Sequence, residues 1–216
     1  MEEKLFHSDS RYFTTDLLMD LFKEYRAPRD KIKNLCRSGD LIRVKQGFYI
    51  TGAKYRRQYS REVLAGMLYG PSAISFQYAL SYHNLIPERV EQLTSVCFKR
   101  NKTFHTPVGT FRYAYQAPGV YPVGIQYIRS GLGNFFIAGP EKALCDMVRS
   151  ITFQDASEVT GYLLEELRIE DRDLLHLSLS MLKSLAACNR WHSVSLLFQA
   201  VSKMQSRKGV THASGN

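Results

Sequence analysis

The sequence predicts an α+β fold built from two domains, a small one of helices and a hairpin followed by a larger mixed one. Apolar residues recur at helical spacing early in the chain, and two short alternating runs follow them. Beyond residue 60, helical patterns flank four strand-like runs that Pro and Gly separate. With 216 residues and 44% hydrophobic content, the chain can fill two cores. We place the domains at residues 1–59 and 60–206, before a disordered tail at 207–216.

The first main helix is predicted from about residue 15 to Tyr25, after a short opening helix at residues 2–7. Thr14 or Thr15 can accept a hydrogen bond from the first backbone N–H groups of this helix. Asp16 lies at the positive end of the helix dipole. The apolar residues that recur at helical spacing are Leu17, Leu18, Leu21 and Phe22.

A second helix and a hairpin come next. Pro28 favours a helix start, so we predict a helix over residues 29–38, which Gly39 ends in a left-handed conformation. Two alternating runs on either side of Gly47 then predict a strand, a tight turn and a second strand. Two helices followed by a hairpin are the layout of a winged helix-turn-helix domain.

Positive charge is concentrated in the same part of the chain. Residues 29–61 hold ten of the 29 Lys and Arg residues but only two acidic ones, Asp30 and Asp40, so they carry +8 of the net charge of +9. Charge that is gathered on one helix and one hairpin favours an anionic partner, and duplex DNA suits this layout.

The periodicity of the second helix separates its inner face from its outer face. At about 100° per residue, Ile32, Leu35 and Cys36 cluster on one side, so Asn34 and Arg37 point away from it together with Asp30. Asn can pair with adenine and Arg with guanine in the major groove, which makes Asn34 and Arg37 the candidate base readers. Asp30 suits either a cytosine amino group or the helix N-terminus.

Further residues are predicted to contact DNA, most of them through the phosphate backbone. Phosphate contacts orient a protein on the duplex without reading its sequence. The set comprises Arg29, Lys31 and Lys33 on the helix, Arg43, Lys45, Gln46 and Tyr49 on the hairpin, Thr14 and Thr15 at the first helix, and Arg56 and Arg57 after the hairpin. Two other interpretations stay open, a solvated basic face without a partner and an RNA-binding surface.

The second domain is predicted to alternate helices and strands. The helices are expected at residues 60–69, 72–84, 156–167, 171–188 and 191–205, with another that Pro140 opens, and the strands at 93–98, 110–115, 125–130 and 135–138. Phe111, Tyr113 and Tyr115 alternate with smaller or polar residues, as in a half-buried strand. The broad apolar stripe of 171–188 is interpreted as core packing, with a protein interface as the alternative.

Several classes of function are not expected. The N-terminus lacks the apolar core of a signal peptide, and no run of apolar residues is long enough to span a bilayer, which favours a cytoplasmic protein. The four cysteines are widely spaced, so we expect neither metal nor cofactor. No phosphate-binding loop or hydrolase motif occurs. His83 is interpreted as a partly buried histidine at a helix end, and Glu141 and Lys142 as the polar start of a helix.

Three blocks of sequence resemble the family of AbiEi-type antitoxins and related transcriptional regulators. The first block spans residues 14–50 and includes the run from Arg37 to Arg43 and the close Gln46-Gly47-Phe48-Tyr49. The second is Gly70-Pro71-Ser72-Ala73-Ile74-Ser75 with the downstream segments 79–83 and 85–87. The third is Gly139-Pro140-Glu141-Lys142-Ala143-Leu144-Cys145-Asp146. The blocks occur in the family's order and extend over about the first 150 residues.

The resemblance implies a non-enzymatic antitoxin of a type IV toxin–antitoxin or abortive-infection system. Its N-terminal domain would repress its own operon by binding an operator with inverted repeats. Its second domain would counteract a nucleotidyltransferase toxin, with or without direct contact. The alternative is a plain winged-helix transcriptional regulator, whose second domain binds a ligand or another protein.

Overall fold

The computed structural model describes residues 11–52 and 58–213, with side chains described through Arg207. Within these residues the chain is a mixed α+β protein with a three-stranded and a six-stranded sheet. The expected opening helix at residues 2–7 lies outside the described residues. None of the helices in the described part is long and apolar enough to cross a membrane.

The N-terminal unit is a strand, two helices and a hairpin. Its elements are β1 (Tyr12–Thr14), α1 (Thr15–Leu21), α2 (Pro28–Arg37), β2 (Leu41–Lys45) and β3 (Phe48–Thr51). β3 is the central strand and pairs in antiparallel fashion with both β1 and β2. α1 ends four residues before the predicted position at Tyr25, because the chain turns at Phe22, whose ring packs edge-on against Tyr25.

Two tight backbone arrangements in this unit require glycine. Gly47 has φ of +78° in the two-residue hairpin turn, a conformation that other residues adopt only with strain. Gly52 donates its N–H to the Asp40 carbonyl at 2.8 Å, and a Cβ atom at Gly52 would lie 1.8 Å from the Gly39 carbonyl oxygen. The end of the hairpin can therefore pack directly against the end of α2 only with glycine at position 52.

The larger sheet has the strand order β6-β7-β5-β4-β9-β8 and contains both parallel and antiparallel pairs. Its strands are β4 (Ser72–Ile74), β5 (Leu93–Cys97), β6 (Lys102–Thr106), β7 (Gly109–Tyr115), β8 (Ile125–Ser130) and β9 (Gly133–Ala138). β4 and β6 were not predicted. β4 lies where a helix over 72–84 was expected, because its three residues are all buried and pair with strands distant in sequence.

Helices pack on this sheet and on one another. They are α3 (Arg61–Leu68), α4 (Phe76–Tyr82), α5 (Pro140–Val148), α6 (Ala156–Gly161) with a π-helical turn (Tyr162–Glu166), α7 (Asp171–Leu175), α8 (Leu179–Cys188) and α9 (His192–Ala213). At the end of α4, His83 Nε2 donates to the Ala138 carbonyl at 2.8 Å, which agrees with the structural role expected for this histidine.

The predicted helix over 171–188 is two helices in the structure. Ser178 ends the continuity because its hydroxyl accepts a hydrogen bond from Met181 N and so begins α8. Gln205 of α9 donates to the carbonyls of three residues around the break, Leu174, Leu175 and Leu177. Four leucines of this stretch are buried in the core, Leu174, Leu177, Leu182 and Leu185. α9 is longer than expected, since its helical backbone continues to Ala213 within the predicted tail.

The two units meet along the small sheet, both faces of which are buried. One face carries Phe13, Leu41 and Tyr49, which pack against α1 and α2 in a core of their own. The other face carries Val44 and Ile50, which belong to the core of the second unit. The N-terminal sheet therefore serves as a packing layer for two cores at once.

Tyr12 joins the units by hydrogen bonds across this junction. Its hydroxyl accepts a hydrogen bond from Ser60 N at 3.0 Å and donates to the Leu132 carbonyl at 3.1 Å. Burial raises the pKa of Tyr12, so the hydroxyl keeps its proton at neutral pH and remains a donor.

A network of charged and polar side chains is buried in the second unit. Lys142 and Asp146 are fully buried and form an ion pair at 2.9 Å. Gln116 accepts from Lys142 at 2.7 Å and donates to Asp146 at 2.6 Å, while Ser75 donates to the second Asp146 oxygen at 2.6 Å. Lys142 lies in the first turn of α5, as expected, but it is not an exposed polar position, because its side chain is fully buried and its ammonium is held by Asp146 and Gln116.

Candidate nucleic-acid interface

The outer face of α2 is a basic stripe. Arg29, Lys33, Asn34 and Arg37 are exposed, and together with Asp30 they follow the three- and four-residue spacing of one helix face. Eight residues at a rise of about 1.5 Å separate Arg29 from Arg37 by roughly 12 Å along the helix axis. Ile32 and Leu35 are buried on the opposite face, as the sequence predicts.

The ends of α2 are defined by proline and by backbone geometry. Pro28 occupies the first turn, and the preceding residue, Ala27, makes no side-chain capping bond. Asp30 also lies in the first turn, where its charge favours the helix dipole, but it is not the capping residue. At the other end Gly39 has φ of +75°, the left-handed conformation expected of it.

The cations of the stripe are unpaired within the described residues. No acidic side chain of that part of the chain forms an ion pair with Arg29, Lys33 or Arg37. Lys31 differs from them, since it is half-buried and its ammonium lies 5.6 Å from the centre of the Tyr25 ring. The basic stripe is therefore free to meet an anion, whereas Lys31 already supports the turn before α2.

Arg43 is an exposed basic residue of the hairpin close to α2. It is exposed on β2 and lies close enough to Cys36 of α2 to affect that thiol. Burial raises the pKa of Cys36, and the positive charge of Arg43 opposes part of this increase. Arg43 therefore lies near α2, on the side of the helix that carries Cys36.

The hairpin tip is short and lies against the start of α1. The Gly47 carbonyl accepts a hydrogen bond from Thr15 N at 3.0 Å, and only Gln46 of the turn is exposed. Thr14 caps α1, as predicted, through a bond from Leu17 N to its hydroxyl at 3.2 Å. Thr14 and Gln46 are therefore the two exposed polar side chains at this tip, and Thr15 is half-buried.

The structure places two of the predicted DNA-contact residues elsewhere. Tyr49 is 8% exposed and belongs to the core beneath α1 and α2. Lys45 is half-buried and points to the second unit, where it donates to the Leu68 carbonyl and lies 5.6 Å from the centre of the Phe104 ring. Burial lowers the pKa of Lys45, and the nearby charge of Lys99 lowers it further. Neither residue belongs to the stripe, because Lys45 contacts the second unit and Tyr49 packs in the small core.

Replacement of Lys45 by alanine is expected to weaken the junction and leave duplex binding unchanged. Loss of the bond to the Leu68 carbonyl and of the contact with Phe104 should lower the free energy of unfolding by about 1 kcal/mol. Urea unfolding measures this loss, and fluorescence anisotropy with labelled DNA should give an affinity within about threefold of the unmodified protein. A large loss of DNA affinity without a loss of stability would show that Lys45 contacts DNA.

The second unit also carries exposed basic residues near the hairpin, which were not singled out from the sequence. β6 is an edge strand beside β2, and exposed Lys99, Arg100, Lys102 and Arg112 lie on β6, β7 and the loop before them. A sequence signal for this region exists, since residues 92–140 contain five Lys and Arg residues and no Asp or Glu. Arg56 and Arg57 complete the predicted set, and both lie outside the described residues.

No family profile matches the chain, and no curated protein matches it.

Proposed function

We propose that this protein is a DNA-binding antitoxin of the cytoplasm, which represses its own operon and counteracts a nucleotidyltransferase toxin. The observation that carries the DNA-binding part is the stripe of Arg29, Lys33, Asn34 and Arg37, which is exposed and unpaired within the described residues. An α-helix fits the major groove of B-DNA, which is about 12 Å wide. α2 is accordingly the proposed recognition helix.

The arrangement around α2 supports a winged helix-turn-helix assignment. β1, α1, α2 and the hairpin follow one another in the order of that fold, and β1 pairs with the last hairpin strand. The wing is reduced to a two-residue turn in this chain, so we assign most of the DNA contact to α2 and Arg43. Asn34 and Arg37 read base edges, and Arg29, Lys33 and Arg43 hold phosphates.

The antitoxin part of the proposal rests on the resemblance of three sequence blocks to the AbiEi-type antitoxin family. The first block coincides with α1 to β3. The second begins just before β4 and continues past α4, and Ser75, between these two elements, donates to Asp146 in the buried network. The third contains Lys142 and Asp146 themselves. The blocks therefore correspond to the proposed DNA-binding surface and to the polar centre of the second unit.

Duplex binding is expected to weaken steeply with salt. Three phosphate contacts from Arg29, Lys33 and Arg43 release counterions, so the logarithm of affinity should fall with a slope of about −2.7. Between about 50 and about 200 mM salt the affinity should drop roughly fortyfold. The measurement is anisotropy with a labelled duplex from upstream of the protein's own gene, and a scrambled duplex of equal length is the control. Equal affinity for both sequences would contradict operator recognition, and a flat salt response would contradict the phosphate contacts.

The proposed antitoxin activity can be tested with the product of the neighbouring gene. Expression of an adjacent nucleotidyltransferase should arrest growth, and co-expression of this chain should restore it. The alternative, a plain regulator with a ligand-binding second domain, is favoured by a cleft of about 400 Å³ in the second unit. Growth arrest that this chain does not relieve would decide for that alternative, provided that operator binding persists.

A further inference from the structure

Two adjoining clefts lie at the surface of the second unit, far along the sequence from α2. The larger encloses about 400 Å³ and the smaller about 180 Å³, and they share Arg149, Ser150 and Trp191. Their combined size lies within the range of about 300–1,000 Å³ that is typical of small-molecule sites. The floor of the larger cleft includes Gln116, which connects it to the buried Lys142–Asp146 pair.

The chemistry of the lining is cationic and aromatic. No Asp or Glu is among the residues that line either cleft, whereas Arg149, Arg190 and His192 are. Neither arginine forms an ion pair with any acidic group of the described residues. An anion that enters the clefts would meet no negative side chain and two guanidinium groups.

Arg149 is held in position for a ligand. Its Nη2 donates to the Tyr115 carbonyl at 3.2 Å, and its guanidinium carbon lies 5.3 Å from the centre of the Phe76 ring. These contacts use one of the five N–H donors and fix the plane of the group, so the remaining donors can form a fork on a phosphate. Such an arrangement reduces the conformational entropy that the side chain would lose on binding.

The start of α9 adds donors at the smaller cleft. Ser193 lines this cleft and is only 6% exposed, yet its hydroxyl has no hydrogen-bond partner within the described residues. The first backbone N–H groups of a 22-residue helix lie at the same place and favour negative charge. Because the Ser193 hydroxyl is not held by another group of the described residues, it can donate to a phosphate oxygen in the cleft.

A planar surface stands beside these donors. Trp191 is 46% exposed, and the Arg190 guanidinium lies 5.7 Å from the centre of its ring. Enough indole surface remains for a second planar group, and stacking of a base on an aromatic ring contributes roughly 1–3 kcal/mol. We propose that the two clefts form a mononucleotide-binding site, in which Trp191 stacks on the base and Arg149, Ser193 and the start of α9 hold the phosphate.

The chain contains a single tryptophan, so its fluorescence reports directly on this site. Titration of the full-length protein with adenosine 5′-monophosphate should change the emission of Trp191 and reach saturation. Adenosine alone and inorganic phosphate alone should each require at least about tenfold higher concentration, because each supplies only half of the contacts. No saturable change with the nucleotide would overturn the proposal. Equal affinity for inorganic phosphate would overturn it too, since an anion site alone would then be sufficient.

Variants separate the proposed contacts from general effects on the fold. Arg149→Gln should weaken nucleotide binding by about tenfold or more, and Arg129→Gln, on the exposed strand β8, should leave it unchanged. Arg190→Gln provides a second test at an exposed position if Arg149→Gln is unstable. Unchanged nucleotide affinity in a folded Arg149→Gln protein would exclude this site. DNA binding by α2 is measured separately, so either proposal can fail without the other.

Discussion

Lys33→Glu combined with Arg37→Glu is expected to lower the affinity for duplex DNA by at least about a hundredfold. Both side chains lie on the exposed face of α2, one helical turn apart. Loss of an arginine that reads a base costs about 1–3 kcal/mol, and loss of a phosphate contact adds to this. The two new carboxylates also repel the DNA backbone. Fluorescence anisotropy with the operator duplex at fixed salt measures the change.

A matched control variant distinguishes the position of the lost charges from the change in net charge. Lys183→Glu combined with Lys203→Glu changes the charge equally, and both residues are exposed on α8 and α9 in the second unit. This variant should bind the duplex within about threefold of the unmodified protein at moderate salt, because exposed charges beyond a Debye length are screened. Circular dichroism should show both proteins folded. If the control loses as much affinity as the α2 variant, binding depends on total charge and α2 is not the recognition helix.

Lys142→Met is expected to lower the free energy of unfolding by about 3–5 kcal/mol. The substitution keeps the length of the side chain and removes the ammonium that neutralises Asp146, both groups being fully buried. A carboxylate left without its partner in the interior carries a large desolvation penalty. Urea unfolding measures the loss, and Lys183→Met, an exposed position on α8, should change stability by less than about 0.5 kcal/mol.

The double substitution Lys142→Met with Asp146→Asn should recover at least half of that loss. No charge then remains in the interior, and the asparagine amide can still bond with Gln116 and Ser75, the other members of the network. A double variant less stable than Lys142→Met by the full cost of Asp146→Asn would show that the two residues act independently. The ion pair would then not be the source of the effect.

The elements that the sequence predicted well are those with strong local signals. Thr14 caps α1 and Gly39 ends α2 because a short side chain with an oxygen and a residue without a Cβ suit those backbone conformations. The 3.6-residue period placed Ile32 and Leu35 in the core and left Asn34 and Arg37 exposed. These features depend on residues within a few positions of one another.

The features that were missed depend on residues distant in sequence. β4 is a strand only because β5 and β9 pair with it on either side, and nothing in its three residues outweighs the helical pattern that follows. Phe111 and Tyr113 are buried as expected, but Tyr115 is 50% exposed, since it lies at the end of β7 beside the larger cleft. The buried network joins Ser75 and Gln116 to Lys142 and Asp146, and no local pattern indicates that these parts of the chain lie close together.

By itself, the sequence determined that the chain is an α+β protein with a basic helix and hairpin near its N-terminus, and which face of that helix is polar. Local backbone preferences and periodic burial are sufficient for such conclusions, since they involve neighbours along the chain. Only the tertiary structure decided which basic residues stay exposed. Lys45 turns to the second unit and Lys142 is enclosed by its partners, while Arg37 and Arg43 remain at the surface. A charge can be assigned to a partner or to the interior only when all the elements that pack around it are known.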